Sequence, residues 1–387
     1  MKADIPKQTD ILTASTLKTT ARTALVAGVA TLLLSGCASM GYYWQSVNGH
    51  MKMMNSARSV DEVLADSQTP AQLKVRLILS QRIRSFAVTE LKLPDNASYH
   101  RYADLHRSAV VWNVVAAPEF SLTLKTWCFP VVGCVGYRGY FNEAAAHLEE
   151  DALKARGFEV GVYGVPAYSS LGWMNWAGGD PLLNTFINYP EGELARLIFH
   201  ELAHQVAFAN GDTVFNESFA TTVERLGIRH WMESQSNDEV RKQYAVFDKR
   251  RQEFRALTHA TRRELAKVYG EKDAATYKKS PPEVNEPVTK IEKVLANEKD
   301  KAIVLHNFRE KYIKLKSDWG GYPGYDAWVG KANNALFGAQ AAYDELVPGF
   351  EALFEREGRD WSRFYGAVKQ LSDLPEDARH KILRIDK

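Results

Sequence analysis

The chain has 387 residues, 45% hydrophobic and 25% charged, with 49 basic side chains against 47 acidic. These proportions belong to a globular protein with a sizeable buried core and exclude disordered and collagen-like chains. The near balance of charge leaves no basic excess for nucleic acid, so none is expected as a partner.

At the N-terminal end, Lys18 and Arg22 precede the apolar run Ala24 to Leu34, followed at once by Ser35, Gly36 and Cys37. A basic flank, a short apolar core and small residues at a cleavage point read as a secretory signal. The alternative, a membrane-spanning anchor, needs about 20 apolar residues, more than this run contains. Leu34-Ser35-Gly36-Cys37 resembles the bacterial lipobox, which implies removal of 1–36 and attachment of lipid to Cys37. Ala38 in place of an aspartate implies, for a Gram-negative envelope, sorting to the outer membrane on its periplasmic side. Multiple acyl chains suffice for stable anchoring, so the lipid is the expected membrane tether. Loss of 1–36 removes Lys2, Lys7, Lys18 and Arg22 with Asp4 and Asp10, which brings the charges into balance.

Residues 44–91 read as helical, most clearly Ala71 to Arg84, where apolar residues recur at three- and four-residue spacing after Pro70. Between 109 and 141 the runs AVVWNVVAA, FSLTLKTW and VGYRGYF are β-branched and aromatic and read as strands. With Cys37 lipidated, Cys128 and Cys134 remain as an even pair in an oxidising compartment. They form either a disulfide or two buried thiols. A helix over 142–156 ends at Gly157, FEVGVYGV returns to strand, and SSLGWMNWAGGDP is rich in turn residues. LLNTFINYP reads as a short strand immediately before the next helix.

That helix, predicted over Glu193 to Ala209, contains His200-Glu201-Leu202-Ala203-His204. At 3.6 residues per turn, His200 and His204 lie one turn apart on one face, where two imidazoles reach a single zinc ion. Glu201, at the edge of that face, is placed to accept a proton from an attacking water without binding the metal, the H-E-x-x-H arrangement of zinc peptidases. A catalytic zinc takes three protein ligands and keeps one open position. After the helix stop at Asn210-Gly211-Asp212-Thr213, Asn216-Glu217-Ser218-Phe219-Ala220 opens a new helix, so Glu217 is the expected third ligand and Glu224 the runner-up. Asn216 and Thr221 flank the place for groups that orient the histidines. Ala207 and Asn210 stand where metzincins require Gly and His.

From about 215 to 269 the chain reads as helical and densely charged. Residues 271–289, with three prolines, make a break, and a further charged helix runs to about 316. DWGGYPGYDAW and two or three amphipathic helices complete the chain. The expected organisation is a leader over 1–36, a catalytic body over 37–230, and a charged helical region over 231–387 packed on that body.

HELAH followed by NESFA resembles the gluzincin peptidases, and FHELAHQ, GDTVFNESFA and WCFPVVGCVGYRGYF together resemble a family of bacterial lipoproteins described as zinc aminopeptidases. The resemblance covers most of the chain after Cys37. It implies an α+β, mainly helical fold with a small N-terminal mixed sheet whose edge strand precedes the zinc helix. It also implies that this strand, Leu183 to Ile187, lies along the peptide substrate. Asn184, Thr185 and Phe186 would then pair with the substrate backbone, although an ordinary edge strand is the competing reading. Tyr322 and Tyr325 are candidate oxyanion donors, with packing or surface roles as their alternative. The GxMEN segment that grips a free α-amine in aminopeptidase N is absent, and the upstream acids Glu191 and Asp180 have ordinary helix-start and turn roles available. The expected function is zinc-dependent peptide hydrolysis. Its rival is an envelope lipoprotein that binds peptides or cell-wall components without cutting them.

Overall fold

The computed structural model describes residues 41–129, 133–172, 175–271, 289–341 and 345–384. The leader, Cys37 and most of the proline-rich break therefore lie outside the described residues. The chain divides into two compact units, the first ending at Lys52 and the second running from Met53. The described part of the first unit is residues 41–52, which belong to helix α1 (41–56). No helix among the described residues is long and apolar enough to cross a membrane.

The second unit is α+β and mainly helical. Strand β1 (Arg58–Ser59) leads into α2 (Val60–Ala65), where Ser59 and Glu62 form a reciprocal capping box. Helix α3 (Ala71–Thr89) follows, burying Leu77, Ile83, Phe86 and Ala87. Strand β2 (Arg101–Ala103) pairs antiparallel with β1. Strand β3 (Val111–Pro118) is buried at seven successive positions because it is the centre of its sheet. The hairpin strands β4 (Trp127–Phe129) and β5 (Gly133–Val135) and the short β6 (Arg138–Tyr140) come next.

Helix α4 (Glu143–Lys154), capped by Asn142, leads to β7 (Phe158–Val165), which pairs with β3 along its whole length. On this β6-β3-β7 sheet, Val115 and Ala117 pack against helix α10 (Asn334–Ala341), and α4 also lies against β3 and β7. Strand β8 (Leu182–Leu183) runs parallel to β2 and closes a mixed β1-β2-β8 sheet. It is an edge strand and immediately precedes the helix of the HELAH motif, but it is only two residues long.

That helix, α5 (Glu191–Ala203), packs against α6 (Thr213–Ser234) as an antiparallel hairpin, with α3 on its other side. Leu194, Ala195, Ile198, Phe199 and Leu202 of α5 meet Val214, Phe215, Phe219 and Val223 of α6 in the main core. The long α7 (Asp238–Tyr269) and α8 (Thr289–Asp318) pair with each other over a second cluster of Phe254, Leu265, Phe308 and Trp319. The chain then turns through α9 (Asp326–Gly330), α10, α11 (Val347–Arg356), α12 (Trp361–Ser372) and α13 (Glu376–Leu383). Phe350, Phe364 and Tyr365 of this last group close aromatic contacts on Phe215 and Phe219, so the C-terminal helices complete the core around α6.

Candidate metal centre

The predicted helix stops six residues early. Beyond Ala203 the chain leaves the α-helix through tight turns, with Gln205 N–H donating to Leu202 and Val206 N–H to Ala203, so His204 is the helix cap. This brings the chain back within few residues. Asp212 caps α6 by accepting from the Phe215 N–H, and Asn216 clamps the loop by both donating to and accepting from the Ala209 backbone. The disulfide hairpin abuts the same loop: Cys128 and Cys134, bridged and paired across β4 and β5, place Gly133 against Asn210 and Gly211.

These connections bring His200, His204 and Glu217 together. The two Nε2 atoms are 3.2 Å apart, Glu217 Oε2 is 3.3 Å from His200 Nε2, and Glu217 Oε1 is 3.8 Å from His204 Nε2. The other nitrogen of His200, Nδ1, lies 2.9 Å from Glu224 Oε2. An ionised carboxylate only accepts, so Nδ1 carries a hydrogen, and Nε2 is the nitrogen turned toward the cluster. Glu224 in turn accepts from Arg196 at 2.7 Å, and Arg196 shares Glu193 with Arg251. The runner-up ligand is thus the group that orients His200. Glu217 and Glu224 are two helical turns apart on one face of α6, and the imidazole lies between them.

The electrostatics follow from this packing. Burial works against charging His200, but the hydrogen bonds to Glu217 and Glu224 outweigh it and raise its pKa to about 10. His204 lacks such a partner, and burial lowers it to about 4. Burial raises Glu201 to about 7, since no hydrogen bond among the described residues stabilises its anion. Glu224, despite its burial, is held well below the usual carboxylate range by Arg196 and His200. Two imidazole lone pairs and a carboxylate converging on one point, with a carboxylate behind one imidazole, suit a divalent zinc.

In a second group within ligand reach, Asp212, Glu376 and His380, the Asp212 carboxylate is already paired with Arg379, whose Nε lies 3.2 Å away. It ties α13 to the start of α6.

Other expected site residues fall elsewhere. Asn184, Thr185 and Phe186 form a turn in place of a substrate-facing strand, because the N–H groups of Phe186 and Ile187 fold back to Leu183 O. Asn184 is taken up by the Leu105 and Arg107 backbone, Thr185 donates to Pro166 O, and Phe186 is buried against Tyr99. Tyr325 stacks on Phe254 at 4.0 Å and Tyr322 lies beneath Arg250, both inside the α7–α8 aromatic cluster rather than beside the metal ligands. Asn216 serves the loop, His200 Nδ1 is taken by Glu224 and His204 Nδ1 has no partner among the described residues, so neither Asn216 nor Thr221 orients a histidine through that nitrogen.

Several tyrosine phenols feel this site, among them the partly buried Tyr163, on which Glu217 acts, and Tyr137, in the GYRGYF run. Tyr137 as a residue is 36% exposed, and the pKa of its phenol is raised by burial and then by neighbours that include Glu217 and Glu201. The sequence contained the residue but no spacing rule that ties it to HELAH. A model of a protein family described as "Putative aminopeptidase" matches residues 41–383. No curated protein and no solved structure matches the chain.

Proposed function

Because the chain belongs to this aminopeptidase family, we propose that it is a zinc-dependent peptidase, tethered through lipid on Cys37 to the bacterial outer membrane and facing the periplasm. The observation that carries the reading is the convergence of His200, His204 and Glu217 within ligand reach, with Glu201 beside them and outside the ligand set. Zinc held by those three side chains supplies Lewis acidity toward the scissile carbonyl and the attacking water.

The remaining work falls to this chain's own groups. Glu201 accepts the proton of the attacking water and passes it to the leaving amine; with a pKa of about 7 its carboxyl is poised for both transfers near neutrality. Glu224 fixes the ring orientation of His200, and Arg196 keeps Glu224 ionised. Tyr137, partly open to solvent and close enough for Glu217 and Glu201 to act on its phenol, is the donor for the carbonyl oxygen as it gains charge. Tyr322 and Tyr325 have no part in this.

The test is metal analysis of the purified protein with cleavage of a peptide library, by wild type, Glu201→Gln and Tyr137→Phe. Zinc at one equivalent in all three is expected, with cleavage lost on Glu201→Gln and lowered about 10²-fold by Tyr137→Phe. Wild type that holds zinc and cuts nothing would transfer the assignment to peptide binding.

A further inference from the structure

Helix α1 presents an apolar face to solvent. Tyr43, Trp44, Val47 and Met51 are all exposed, Trp44 at 72% and Val47 at 60%. Spacings of three, four and seven residues put these side chains on one side of the helix. Two residues further on the same helix enters the core, where Met53 and Met54 are buried. Exposed apolar side chains are ordinary where they stand singly among charges, as Val246, Ile303 and Ile313 do on α7 and α8. The face of α1 is different: residues 38–60 contain Lys52 and Arg58 and no Asp or Glu.

Position along the chain says what covers that face. From Cys37 to Gly41, where α1 begins, a fully extended chain spans at most about 14 Å. Lipid on Cys37 is sunk among acyl chains, so the helix must start within that distance of the membrane. From Gly41 to Met51 the helix rises only about 15 Å more. A peripheral helix beds its apolar face about 5–10 Å into the boundary between headgroups and acyl chains, the level at which Trp and Tyr collect. The charge of the segment suits an anionic lipid surface, since it offers Lys52 and Arg58 and no carboxylate to be repelled.

We propose that α1 is a second membrane contact, lying in the plane of the membrane that holds the lipid, with Tyr43, Trp44, Val47 and Met51 in the headgroup layer. The inference rests on the reading of Cys37 as the lipid-bearing residue. The tether holds the helix at high local concentration beside the surface, so even a face of four side chains stays engaged.

The test uses the acylated protein in vesicles of phosphatidylethanolamine and phosphatidylglycerol, with a nitroxide label on Val47→Cys. Leu148→Cys on α4, 71% exposed, carries the label in the control. The native cysteines do not compete for it, since Cys37 holds lipid and Cys128 and Cys134 are bonded. The label at 47 should be reached by oxygen, which concentrates among acyl chains, and shielded from a water-soluble nickel complex; the label at 148 should behave in the opposite way. Trp44→Asp with Met51→Asp should abolish the shielding at 47. A label at 47 as open to nickel as the one at 148 would overturn the proposal. So would shielding that grows with protein density in the vesicle and comes with spin–spin broadening, because a second copy would then cover the face. Mass spectrometry reads the acyl group on Cys37 separately. If none is present, the tether reading fails by itself, and the same label on the unacylated chain, mixed with the same vesicles, still decides whether α1 meets lipid.

Discussion

At the scale of single residues, the centre depends on which nitrogen of His200 carries hydrogen. Glu224 settles that from behind the ring. Glu224→Gln should lower zinc affinity about 10- to 100-fold, measured by chelator competition, because an amide is a weaker acceptor and Arg196 loses one of its two carboxylate partners. Unchanged affinity would mean that Glu224 does not tune the ring. The pairing of His200 and His204 was legible because helical periodicity places residues four apart on one face, and the structure brings Glu217 of the next helix to them. The same periodicity made Glu217 and Glu224 equivalent by spacing, and only the side-chain directions separate them. Tyr137 was illegible for another reason: it stands in the turn between β5 and β6, at a distance in sequence from HELAH that no local pattern encodes.

At the scale of elements, strand β7 coincides with the run FEVGVYGV because alternation and the glycine stop at 157 agree. The LLNTFI run misled, since its apolar residues are buried by a turn whose N–H groups fold back on Leu183. Turn and strand bury such a run equally well, so composition does not distinguish them. The disulfide hairpin has a more specific effect. Gly133 adopts φ +72°, and a Cβ there would lie 2.1 Å from Asn210 Oδ1 and 2.8 Å from the Gly211 nitrogen. Gly133→Ala should therefore displace the loop between the second histidine and Glu217, weakening zinc binding as well as lowering the melting temperature. Gly157→Ala is the control: φ is +81° in open space, so it should cost about 1 kcal/mol of stability and leave zinc affinity intact. Equal effects of the two on zinc would show that the hairpin does not govern the loop.

At the scale of the whole molecule, the C-terminal helices are built into the frame of the centre. Asp212 caps α6 and also receives Arg379 and His380 from α13, all three side chains being buried. Asp212→Ala removes the cap and strands two basic groups, so a loss of about 3 kcal/mol or more is expected in denaturant unfolding. A loss below about 1 kcal/mol would mean that α13 is held by its apolar contacts alone. This long-range tie could not be read from charge patterning, which showed only that the C-terminal region was helical and charged.

The early end of α5 carries one more consequence. Peptide dipoles along its 13 residues add up to roughly half a negative charge at the carboxyl end, where Ala203 and the cap at His204 stand. The opposite pole, at Glu191 and Glu193, is met by acidic side chains. A helix running on to Ala209 would have carried that negative pole several residues past the imidazoles. By stopping at the second histidine, the backbone adds its own field to the attraction the side chains exert on a cation.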